Sequence, residues 1–131
     1  MMYFGSGYSG AASRRYAAVD TGSRVEGANP HQLVKILFDE LLLAMDASII
    51  ADRNGDRGKC SEKQARALSI LHALESSLDF DKGGQIALGL AQIYREARRL
   101  IVAGLQSRSA AEMHQAHHII NEIAEAWAAI G

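Results

Sequence analysis

The sequence predicts an all-α protein: an antiparallel up-down-up-down four-helix bundle preceded by a flexible N-terminal arm. Three observations carry this. The 131 residues include one proline, and hydrophobic residues reach 48% with aromatics at only 6%. That balance suits long helices better than a sandwich or barrel. Apolar residues recur at helical spacing along four successive stretches. The connections between these stretches span a few residues, too few to cross the length of a bundle, so consecutive helices must run antiparallel.

Residues 1–28 stand apart from the rest. Gly5, Gly7, Gly10, Gly22 and Gly27 interrupt any helical period, and Tyr3, Phe4, Tyr8, Tyr16, Val19 and Val25 are isolated. Such composition describes a mobile arm. Three of the four tyrosines nevertheless fall there. The arm is therefore either a plain solvated leader or a segment whose residues 13–19 form a helical turn or two that dock Tyr16 onto the body. Residues 29–131 form the bundle domain.

Asn29, Pro30 and Gln32 open the first helix. The Asn side chain accepts from an orphan first-turn amide, Gln32 completes a capping box, and proline loses nothing where its donor would be idle. Leu33, Leu37, Leu41, Ala44, Ser48 and Ala51 form its stripe, and no proline or glycine follows until Gly55. The helix thus runs to Arg53, about six turns or 33–36 Å. Arg53-Asn54-Gly55-Asp56 is a turn by composition. The second helix starts between Asp56 and Ser61, with Ser61 and Gln64 as a candidate capping box. Its stripe is Ala67, Leu68, Leu71, Leu74 and Leu78, with Ile70 on the flank.

Asp79 or Asp81 caps the third helix, where negative charge also suits the helix dipole. That helix is expected to bury Ile86, Leu90, Ile93, Ala97, Leu100, Ile101 and Gly104 and to turn Arg95, Glu96, Arg98 and Arg99 outward. Ser107-Arg108-Ser109 is the last turn. Ser109 and Glu112 read as a capping box for a fourth helix carrying Met113, Ala116, Ile120, Ile123, Trp127 and Ile130 on one face.

Several function classes drop out. Lys and Arg number 14 against 15 Asp and Glu, so no basic excess exists to hold nucleic acid. No apolar run spans a membrane, and the glycine-rich start lacks a signal core. A single Cys60 excludes an internal disulfide and fits the reducing cytoplasm. Di-iron bundle sites need Glu-x-x-His on two helices, and no glutamate here has a histidine three residues on. His114, His117 and His118 cluster at helical spacing but have no further ligands at hand, and read as surface residues, with His72 at a helix edge. Cys60 lacks a histidine partner at motif spacing. Gly83-Gly84 lacks the lysine and the preceding strand of a phosphate loop. Neither catalytic residues, a metal site nor a cofactor is expected. Arg95, Arg98 and Arg99 form a basic face, which is either solvated surface or a seat for an acidic segment.

More informative is an excess of apolar residues. Ile36, Leu43 and Ile50 recur every seven residues on a second side of the first helix, with Leu42 between; Leu88, Leu105 and Ile119 likewise exceed their stripes. Either these are inner positions shifted in phase, or they are exposed grooves. Apolar grooves between bundle helices suit a partner's amphipathic helix or a second copy of the chain.

Ala28-x-Pro30-x-x-Leu33-Val34-x-x-Leu37-Phe38-Asp39, followed by Leu78-Asp79-x-x-x-Gly83-Gly84-x-x-Ala87-x-x-Leu90-x-x-x-Tyr94 and a closing Trp127, resemble the flagellar secretion chaperone FliS family over about residues 14–130. The resemblance implies a cytosolic, non-enzymatic four-helix chaperone. Such a chaperone binds the disordered C-terminal segment of flagellin, stops it polymerising early and helps deliver it to the flagellar type III export apparatus. It also implies that the N-terminal arm caps part of the client site, with Tyr16 in the corresponding place. The client-groove candidates Ile36, Leu42, Leu43, Ile50, Leu88, Leu105 and Ile119 come from the apolar excess rather than from the matched motif. The competing reading is a homodimeric helical module whose grooves close on a second copy.

Overall fold

The computed structural model describes residues 27–130. These form α1 (Pro30–Arg53), α2 (Arg57–Ser76), α3 (Phe80–Ser107) and α4 (Ala111–Ala129), with no strand among the described residues. The predicted arm lies almost wholly outside the described residues, and Tyr16 with it.

Cross-helix pairs fix the directions. Arg66 of α2 meets Glu40 of α1 while Arg57 meets Asp52, so residue numbers rise on one helix as they fall on the other. His117 of α4 meets Asp46, and Trp127 meets His31, giving the same antiparallel sense for α1 and α4. Each helix packs against two neighbours, in the ring α1–α2–α3–α4, and α1 and α3 face each other across the diagonal. The result is the four-helix bundle that the sequence predicts, with α2–α3 its least extensive interface.

All four helices meet in one apolar seam. Leu41 and Met45 of α1, Leu71 and Leu74 of α2, Ile101 of α3 and Ile120 of α4 are fully enclosed there. Toward the start of α1 the seam turns aromatic. Phe38 lies tilted against Tyr94 at 6.3 Å between ring centroids and edge-on to Trp127 at 6.4 Å. Burial pushes the Tyr94 phenol up to about 12, so it stays neutral throughout the physiological range. Ser48, the one buried polar side chain among the described residues, satisfies its hydroxyl by donating to Met45 O at 2.8 Å.

The helix ends show which local signals were strong. At Asn29 the predicted box forms in both directions: the Gln32 amide donates to Asn29 Oδ1 at 2.8 Å, and the Asn29 amide donates to Gln32 Oε1 at 3.1 Å. Asp56, not Ser61, caps α2, accepting from the Lys59 amide at 3.1 Å. An aspartate directly after the Asn54-Gly55 turn captures the first free amides, leaving Ser61 inside the helix. Asp79 caps α3 through the Lys82 amide at 3.0 Å. The predicted Ser109–Glu112 box does not form. Ser109 instead accepts from the Ala111 amide at 3.2 Å, and the Glu112 carboxylate takes the Ser107 hydroxyl. The α3–α4 turn is too tight for the box, because Arg108 adopts a left-handed φ of 55°. A Cβ on Gly104 would lie 3.1 Å from Ser109 O.

Gly84 interrupts α3 one turn after its start, with φ 51° and ψ −126°. Side chains disfavour that region strongly, so a glycine is required for the chain to change direction between the capping turn and the long helix. Gly84→Ala should therefore lower the stability of the bundle by about 1–3 kcal/mol. Chemical denaturation with unchanged slope but lower midpoint is the expected readout.

Candidate functional site

A bundle that closes its seam this fully keeps its remaining apolar residues for the outside. Leu43 is 62% exposed and Ile50 more than half so, both on the side of α1 turned away from Leu41 and Met45. Leu88 and Leu105 are exposed on α3. The other groove candidates fall elsewhere. Ile36 is only 4% exposed and so is withdrawn from the surface set. A seven-residue row drifts by about 20° per repeat around a straight helix, so its members need not share one environment. Leu42 and Ile119 are half-buried and pack against the core. Leu43 and Ile50 make one strip on α1, whereas Leu88 and Leu105 lie near opposite ends of α3 and on different sides of it, so the exposed candidates do not make one groove.

Other apolar residues, expected inside, are outside. Ile86 is 72% exposed and Ile130 is similarly bare. Antiparallel pairing about the Arg108 turn puts Ile86 opposite the last residues of α4, at the end of the bundle where α2 has stopped at Ser76. No neighbouring helix reaches them. Phe80 and Val102 are also exposed, a feature that sequence reasoning missed. Phe80 follows the Asp79 cap, and a residue in the first turn of a helix shows no periodicity that could assign it to a face.

The end of the bundle at the α1–α2 and α3–α4 turns holds a cleft of ≈ 320 Å³. Ile49, Ile101, Leu105 and Met113 supply apolar walls, and the Asp52–Arg57 ion pair (2.6 Å) and Arg108 line its polar side. Cys60 lies buried in it. Burial, and then the negative charge of Asp52, push its thiol up, opposite to what a nucleophile requires. Two histidines of the cluster lie against carboxylates: His117 is 3.0 Å from Asp46 and His118 2.6 Å from Glu122. No group of three or more metal-ligating side chains forms among the described residues. No helix there is long and apolar enough to cross a membrane.

At the opposite end, Trp127 fastens α4 to the start of α1. Its ring stacks on His31 at 4.5 Å with 9° between planes, and its Nε1 donates to His31 O at 3.0 Å. The face between α2 and α3 carries charge instead. Arg98 Nη2 and Arg95 Nε both donate to the Glu75 carboxylate, the latter at 2.9 Å, so Arg95 and Arg98 are partly neutralised while Arg99 pairs with Glu96 at 2.7 Å.

The bundle, its paired aromatic seam and its exposed apolar strips can be set beside known proteins. The family model described as "Flagellar protein FliS" matches residues 12–131. This chain belongs to the FliS family. It is 34% identical to the flagellar secretion chaperone FliS of Salmonella typhimurium over 122 residues, covering 92% of this chain and 90% of that protein. It is 30% identical to the flagellar secretion chaperone FliS of Escherichia coli K12 over 123 residues, covering 92% and 89%. The flagellar secretion chaperone FliSB of Pseudomonas aeruginosa is 25% identical, with 92% and 95% covered. FliS proteins are chaperones rather than enzymes.

The Glu75 hydrogen bonds, from Arg98 first and then Arg95, hold its carboxyl below the usual carboxylate range. A depressed native value contributes stability that is present above the unfolded pKa of about 4.3 and is lost as pH falls through the native value. Glu75→Gln should thus be less stable than the parent at pH 7 by at most about 1 kcal/mol, since the network is partly exposed. The gap should close in acid, below the native value, as thermal melts across pH 2–7 can measure.

Proposed function

We propose that this chain is a cytoplasmic flagellar export chaperone that binds the disordered C-terminal segment of flagellin. Binding would keep the segment from polymerising early and present it to the flagellar export apparatus. The observation that carries this reading is the exposed apolar strip of Leu43 with Ile50 on α1, joined by the exposed Leu88 and Leu105 of α3, on a bundle whose shared seam is filled. Amphipathic helices of a client, left unpaired in its unfolded state, find on such strips the apolar cover they otherwise find on one another. Membership of the FliS family and the secretion-chaperone names of its relatives support the same reading.

Exposed apolar residues on both α1 and α3 call for a client that wraps. A flexible segment with two short amphipathic helices joined by a linker can reach both, and its ordering cost sets the affinity below what the buried area alone would give. The N-terminal arm would compete with it: Tyr16 occupying part of the apolar surface in the free protein acts as a self-cap that the client must displace.

Calorimetric titration with a peptide covering the last ~40–60 residues of flagellin tests the reading. A one-to-one complex of micromolar or tighter affinity with a negative heat-capacity change is the expected result. Absence of heat and of co-elution would overturn it, and a stable dimer by sedimentation would then favour closure on a second copy. Leu43→Asp should weaken the complex about tenfold or more while leaving helicity and melting temperature nearly unchanged, because the side chain is exposed. Tyr16→Ala should raise client affinity several-fold by removing the displacement step; equal or lower affinity would exclude the cap.

A further inference from the structure

The α2–α3 face holds a second cleft, of ≈ 450 Å³, walled by His72, Glu75, Leu78, Phe80, Arg95 and Arg98. We infer that this cleft is a docking site for an acidic amphipathic segment of a partner protein, distinct from the strips on α1.

Its charge is unbalanced. Among the lining side chains two guanidinium groups share the single Glu75 carboxylate, leaving the arginines in excess there. Arg95 engages Glu75 through Nε, and its side chain is 61% exposed. Arg98 commits one terminal nitrogen and keeps other donors for a ligand. By contrast Arg99 is neutralised by both oxygens of Glu96 on the same helix and takes no part. The spare donors are therefore concentrated at the cleft and not spread over the basic face as a whole.

The apolar half lies beside them. Phe80 is 46% exposed, an unusual state for a phenylalanine that could have turned inward, while Leu78 is half-buried and packs on the core. Phe80 is held there by local structure: Asp79 caps the helix in front of it and the Gly84 kink follows it, so the first turn of α3 is set off from the long helix. Fork-shaped donors next to an aromatic surface match carboxylates placed a turn away from an apolar side chain. Arg95 and Arg98 themselves stand three residues apart on one helical face, matching acidic residues at a similar spacing on a partner helix. A bare anion would use the arginines but leave Phe80 without a role, and the α2–α3 interface is the least extensive of the bundle.

The test uses the full chain, labelled with nitrogen-15, and a capped peptide in which glutamate pairs flank leucine at helical spacing. Amide shifts should concentrate on residues 72–82 and 95–98. Arg95→Ser/Arg98→Ser should weaken binding about tenfold, since exposed ion pairs are individually weak. Glu75→Gln should strengthen it, because the competing carboxylate is gone, a change of sign that a merely structural role for the network would not produce. Phe80→Ser should weaken it with melting temperature retained. Equal shifts from a lysine-substituted peptide, equal shifts from inorganic phosphate alone, or no shifts at the cleft would each overturn the proposal. No flagellin enters the experiment, so its outcome is separate from that of the client titration.

Discussion

Nucleating a helix in water is costly and propagation gains little per residue, so helices of 19 to 28 residues in a protein draw most of their stability from packing. What holds these four is the shared seam in which Leu41, Met45, Leu71, Leu74, Ile101 and Ile120 are all enclosed. Each helix contributes one side of that seam and cannot bury its stripe without the other three. The antiparallel ring, the tight α3–α4 turn and the placement of the aromatic end all follow from closing it. Polar groups are arranged around this constraint: Ser48 folds its hydroxyl back on Met45 O, and the helix starts at Pro30, Arg57 and Phe80 give their amides to Asn29, Asp56 and Asp79.

Among the described residues the seam is filled by side chains, and the buried Cys60 thiol has its pKa raised rather than lowered. The surface retains what an interaction protein uses: apolar side chains with no neighbour, and charges that are not fully compensated. Leu43 and Ile50 form an apolar strip on α1, and Leu88 and Leu105 are exposed at separate places on α3. The α2–α3 face differs in kind, joining exposed Phe80 to arginines that outnumber their carboxylate partner. Apolar strips favour many amphipathic sequences alike, whereas placed guanidinium groups select for acidic ones.

Trp127 shows how one residue ties these levels together. Its ring covers the edge of Phe38, stacks on His31 and satisfies its own N–H on the His31 carbonyl, so the end of α4 is fixed to the start of α1. That contact closes the ring of helices at the end where α2 has already stopped. Ile130, three residues later, stays largely exposed.

Fold class and the four helices were legible in the sequence because periodic burial and composition are local properties, and so were the caps at Asn29 and Asp79. The family was legible because the order and spacing of Pro30, Leu33, Leu37, Gly83-Gly84 and Trp127 persist along the chain. The caps at Ser61 and Ser109 were misread because several nearby side chains compete for the same free amides, and turn geometry picks the winner. Tertiary structure alone decided which surplus apolar residues are exposed. Leu43 and Ile36 occupy the same seven-residue row, yet one is open and the other covered, because exposure depends on what lies across from a position and not on the helix that carries it. The pairing of Glu75 with Arg95 and Arg98, about twenty residues away, was invisible for the same reason. The sequence by itself determined that four amphipathic helices must bury one seam; their packing determined which faces were left over for a partner, since only neighbours in space remove surface from water.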